Sequence, residues 1–196
     1  MKKKAFTLLE LLIVITIIGV LTATLVVDFV GVRQRQELLL MTDQAVAMLQ
    51  QARSEVSAGK VTRETEADGS ETVTFLCEGA YFEVGAAPLW AYGDYDSESE
   101  SCLYSSLVSE PYGLSTGEAY TESIEVGGVP AESLWVLYTP PESEVKFFPG
   151  DREDVLSGDA VISFNHSTEQ EEDISITVSS LTHLVTLSIE AANEEE

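Results

Sequence analysis

The chain has 196 residues, and 34 Asp and Glu against 10 Lys and Arg give a formal net charge of −24. So acidic a surface lacks the basic footprint that phosphate binding needs, so no nucleic acid partner is expected. Once the apolar N-terminal stretch is set aside, the remainder suffices for one modest domain and not two.

The first predicted element is a membrane-length helix. Lys2, Lys3 and Lys4 precede an apolar run from Phe6 to Val27 whose one charged residue is Glu10. Such a run is long enough to cross a hydrocarbon core of about 30 Å, and the three lysines place the N-terminus in the cytoplasm. A carboxylate at the edge of this helix is costly and demands a reason. A secretory signal cleaved near Leu21-Thr22-Ala23 does not supply one: the run exceeds a usual apolar core and no A-x-A site follows. A plain signal anchor leaves Glu10 unexplained.

The string Phe6-Thr7-Leu8-Leu9-Glu10, behind the basic leader Met1-Lys2-Lys3-Lys4-Ala5, resembles the N-terminus of type IV prepilins and type II secretion pseudopilins. The resemblance implies that a prepilin peptidase cuts between Ala5 and Phe6 and methylates the new Phe6 amine. It implies that Glu10 pairs with the N-terminal ammonium of a neighbouring subunit, two buried charges that set axial register. Ala5 stands where glycine is usual, and Val27 where many major pilins carry a kinking proline. The implied fold is α+β and pilin-like, a long N-terminal helix with its first half in the membrane, packed against an antiparallel β-sheet head. The implied division is a leader over 1–5, an assembly helix over 6–58 and an extracytoplasmic β-rich head over 59–196. Expected partners are other pilin or pseudopilin subunits, the prepilin peptidase, a membrane assembly platform and membrane lipid; no cofactor is expected. The expected location is the cytoplasmic membrane, crossed once, and then a cell-surface or periplasmic filament.

After Asp28 the apolar pattern becomes one-sided. Leu38, Met41, Ala45, Leu49, Ala52 and Val56 recur at spacings of three and four, the stripe of a helix packed on a core. Ser57-Ala58-Gly59 ends it, with Gly59 suited to the left-handed residue that closes a helix.

Beyond Gly59 the pattern turns to strands. Residues 72–77 and 81–84 alternate on either side of Glu78-Gly79-Ala80, which reads as a hairpin turn. Residues 85–128 read as irregular. Strands follow at 133–138, 144–148, 160–164, 173–178 and 183–189, punctuated by Pro140-Pro141, Pro149-Gly150 and Ser157-Gly158. The layout of Phe147-Phe148-Pro149-Gly150, a polar interval, Ile162-Ser163-Phe164 and two closing strands resembles the head of H-type minor pseudopilins.

Candidate chemistry in the head is sparse. Cys77 and Cys102 lie downstream of the apolar segment, where they either bond to each other or stand as two independent thiols. Their spacing is too wide for a C-x-x-C redox motif. Asp94, Asp96, Glu98 and Glu100 alternate and offer oxygen ligands of the kind calcium takes, but without EF-hand spacing a solvated acidic loop is the default reading. Trp90, Tyr92, Tyr95 and Tyr104 make that region aromatic: facing outward they form an adhesive patch, facing inward they are core. Gly113-Leu114-Ser115-Thr116-Gly117 fits the G-x-S-x-G elbow of α/β-hydrolases, with Asp151 and His166 or His183 in the usual order. The elbow needs a buried strand before it and a helix after it, and neither pattern is present, so a Gly/Ser turn is the better reading.

The expected function is structural: a minor pilin or pseudopilin polymerised through its N-terminal helix, performing no reaction itself. One rival is a membrane-anchored binding or adhesion module that does not polymerise. Another is an anchored hydrolase using Ser115.

Overall fold

The computed structural model describes residues 8–65, 71–112, 117–150, 154–167 and 172–191. They form an α+β structure: a helix near the N-terminus followed by two mostly antiparallel sheets. The chain divides into two units, Met1–Gln36 and Glu37–Glu196.

Helix α1 is assigned over Leu8–Ser57. Its end is set by Gly59 at φ +73°, a conformation that costs glycine nothing. The reversal lets the Gly59 N–H donate to the Val56 carbonyl and the Lys60 N–H to the Glu55 carbonyl, satisfying carbonyls a helix end otherwise leaves bare. In the second unit the predicted stripe of Leu38, Met41, Ala45, Leu49, Ala52 and Val56 is buried, together with Met48 and Thr42. The Thr42 hydroxyl donates to the Leu38 carbonyl at 2.9 Å, so its burial leaves no unmet donor.

Among the described residues, the first sheet has seven strands: β1 (Val61–Thr65), β2 (Glu71–Glu83), β3 (Leu89–Asp96), β4 (Ser101–Cys102), β5 (Val108–Pro111), β8 (Ser133–Thr139) and β9 (Glu144–Pro149). The second has five: β6 (Ala119–Val126), β7 (Val129–Pro130), β10 (Ala160–His166), β11 (Glu172–Val178) and β12 (Val185–Ala191). The path of the first runs β4-β3-β2-β8-β9, with β1 on β2 and β5 on β3; the second runs β12-β11-β10-β6-β7. A parallel bridge from Val84 to Thr121 joins them, with the Gly85 N–H donating to the Thr121 carbonyl at 2.8 Å.

One core holds the buried stripe of α1, the inward residues Ala80, Phe82, Val136 and Tyr138 of the first sheet, and Ile124, Ile162, Phe164, Ile174 and Ile176 of the second. A smaller cluster of Cys77, Ala91, Cys102, Leu137 and Phe148 lies on the opposite parity of the first sheet, beneath Tyr81, Tyr95, Tyr104, Leu107 and Trp135.

Three sequence expectations are corrected. Glu78-Gly79-Ala80 is no turn: β2 runs through it, pairing Gly79 with Ala91 of β3 and with Leu137 of β8. The glycine serves close approach, since a Cβ there would run into the Val136 carbonyl oxygen. Residues 85–128 are not irregular but hold β3, β4, β5 and β6. The last strand starts at Val185 and not at His183, because His183 adopts φ 55° and closes the preceding turn with its N–H on the Ser179 carbonyl.

Candidate assembly helix and head surface

The first unit carries the surface that most needs a partner. Ala5 and Phe6 lie outside the described residues; Glu10 lies within α1, and its side chain is outside them. Leu8 is 81% exposed and Leu21 57%, and between them Leu11, Leu12, Ile13, Val14 and Ile15 are exposed one after another. Five successive helical positions turn more than a full circle, so the helix is apolar all round there, as in a bundle core or a bilayer. Its threonines do not interrupt that surface. The Thr16 hydroxyl donates to the Ile13 carbonyl and the Thr22 hydroxyl to the Ile18 carbonyl. Among the described residues no helix is long and apolar enough to cross a membrane.

In the second unit, Cys77 of β2 and Cys102 of β4 are bonded, with Cα atoms 6.0 Å apart and both residues buried. The link closes a loop of sequence separation 25 and pins residues 101–107 over β3, where Leu107 lies so close to Gly93 that a Cβ would meet it. Loop closure of this size contributes about 3 kcal/mol. Replacing both cysteines by alanine is expected to lower unfolding stability by about that amount, read as a fall in the urea midpoint with a steeper slope, because the unlinked unfolded chain exposes more surface.

The acidic stretch around the turn is organised by its own backbone. Asp96 Oδ1 accepts the Glu98 N–H at 3.0 Å and Oδ2 the Ser99 N–H at 3.3 Å, and the first of these bonds holds the Asp96 carboxyl below its usual range. Asp94 sits half-buried on β3, and its N–H donates to the Ser106 hydroxyl at 2.8 Å; Glu98 and Glu100 are exposed. Among the described residues, no group of three or more His, Cys, Asp or Glu side chains is arranged to hold a metal ion.

The aromatic residues face inward for the most part. Trp90 is 7% exposed and stacks on Tyr112 at 5.3 Å, whose hydroxyl donates to Gln51 of α1 at 2.5 Å. Tyr104 donates to the Gly150 carbonyl at 2.6 Å; Tyr92 and Tyr95 are half-buried. Of the hydrolase candidates, Ser115 and Asp151 lie outside the described residues. His166, buried, has its Nε2 3.2 Å from Glu37 Oε2, and His183 stands in the turn before β12.

Sequence reasoning singled out none of Glu55, Lys60 and Glu78, which the fold brings together. Lys60 Nζ lies 2.5 Å from Glu55 Oε2 and 2.5 Å from Glu78 Oε1. The available signal was a carboxylate on the buried parity of β2, between Leu76 and Ala80.

The chain matches no curated protein and no solved structure. Residues 1–26 match the family model described as the prokaryotic N-terminal methylation motif, which points to a membrane-anchored, type IV pilin-like protein handled by a prepilin peptidase.

Proposed function

We propose that this chain is a structural subunit of a type IV pilus or type II secretion-like filament, a minor pilin or a pseudopilin of the H-type kind. The prepilin peptidase removes residues 1–5 and methylates Phe6 while the helix spans the cytoplasmic membrane with its N-terminus inside. The assembly platform then extracts the subunit, and the apolar helices bundle as the filament core. The subunit performs no reaction; its acidic head decides what the filament touches. The observation that carries this reading is the methylation motif over residues 1–26 running into the start of α1, where Leu11 to Ile15 are exposed and apolar all round the helix. Apolar area taken from water is stabilising at roughly 25 cal/mol per Å², so such a helix gains most by packing in lipid and then among its copies.

The test is the N-terminus of the protein recovered from cells, read by mass spectrometry. N-methylphenylalanine at position 6 is the expected result. An intact Met1, or a new terminus near Ala23, would overturn the proposal.

A further inference from the structure

The last turn of α1 is fastened to the first sheet by an ionic cluster with one buried carboxylate, whose role does not depend on the N-terminal motif. Glu78 is 1% exposed on β2, a strand paired on both sides, by β3 and by β8. Lys60 reaches it from the turn between α1 and β1 and bonds Glu55 of α1 at the same time. One ammonium thus serves two carboxylates, and Glu78 Oε2 has no hydrogen-bond partner. Among the described residues, the other groups around Glu78 offer no second cation at bonding distance. Tyr138 faces it from β8, buried and with its hydroxyl without a partner; Tyr92 faces it from β3; Arg53 of α1 acts on Tyr138.

An ionised carboxylate with one bare oxygen in an apolar core is costly, and a proton on that oxygen removes the charge, the larger part of that cost. We propose that Glu78 is a proton-operated latch: protonated, it lets Lys60 hold the last turn of α1 and strand β1 closed against β2, and ionised, it loosens that joint. Lys60 is 44% exposed, so the cluster has one wet end through which the proton exchanges with solvent.

Burial, outweighing the opposing bond from Lys60 and aided by Glu55 as a neighbouring carboxyl, pushes Glu78 up to about 7, whereas the bond from Lys60 holds Glu55 below its usual range. Between the ordinary carboxyl value of 4.5 and about 7 the folded protein carries a proton that the unfolded chain has lost. Stability contributed by that proton is therefore lost as pH rises through this window.

The experiment is amide hydrogen exchange on the full chain in detergent micelles at pH 5.5 and pH 8, corrected for intrinsic rates. In the unmodified protein, protection of residues 54–65 should fall about tenfold at the higher pH, the equivalent of one pKa unit, while β10 and β11 keep theirs. In Glu78→Gln the fall should vanish. Equal protection at both pH values in the unmodified protein overturns the latch, whatever the variant does. An undiminished fall in Glu78→Gln overturns it as well.

Discussion

Gly79→Ala is expected to destabilise the protein by on the order of 4 kcal/mol, the largest effect of any single methyl group added to the head. Gly79 stands in the middle of β2 with Ala91 of β3 on one side and Leu137 of β8 on the other. An added Cβ would fall on the Val136 carbonyl oxygen, a backbone atom that no rotamer change can move. Relief would require β8 to shift. That strand carries Leu134, Val136, Leu137 and Tyr138, all fully buried, and is held on its far side by β9. Overpacking against side chains costs ~1–3 kcal/mol because rotamers absorb part of it, and here that route is closed. Urea or thermal unfolding of the purified chain in detergent measures the effect. A midpoint equal to that of the unmodified protein would contradict the packing described for β2 and β8.

Glu10→Ala is expected to reduce incorporation into filaments about a hundredfold while the protein still accumulates in the membrane. On the proposed reading, Glu10 meets the ammonium of a neighbour's Phe6 inside a bundle of apolar helices. Removing one member of a buried pair leaves the other charge uncompensated, at a cost of about 3–5 kcal/mol. The lower figure already corresponds to a factor of about a hundred in the association constant. Insertion into the bilayer has no such requirement, because losing a carboxylate makes the helix more apolar. Filaments sheared from cells and membranes from the same cells give the two fractions. Equal incorporation of the variant would favour an anchored module that does not polymerise.

The sequence made some of this architecture legible for simple reasons. The stripe from Leu38 to Val56 repeats with a helical period and the strand around Ile162 alternates without a break, while those around Trp135 and Phe147 are short apolar runs buried on both faces at their ends. Strand β6 was hidden because its alternation is interrupted. Its buried residues are Ala119, Thr121, Ile124 and Val126, and the step of three falls at a register shift opposite Ser163 and Phe164. Strand β3 was hidden by Gly93, Asp94 and Asp96, residues that favour turns in isolation but here pair with β2 and β4. At the joint of α1, Glu78 looked like part of a turn because a carboxylate beside a glycine usually is one. Its buried position depends on Lys60, brought close by the reversal at Gly59, and no local pattern reports that pairing. The N-terminal motif behaves oppositely: the stretch that holds Phe6 and Glu10 is legible as a methylation motif, while on the proposed reading the groups they meet belong to other molecules.

The order in which the strands enter the two sheets has a consequence for how the chain is made. Strands β1 to β5 belong to the first sheet, β6 and β7 to the second, β8 and β9 to the first again, and β10 to β12 to the second. A chain emerging N-terminus first therefore presents β2 with one edge bare until residues as far as Tyr138 have followed. Late pairing between distant segments slows folding and leaves sticky edges exposed in the meantime. The subunit thus has no half that can finish early, and a holding chaperone has most to protect during that interval.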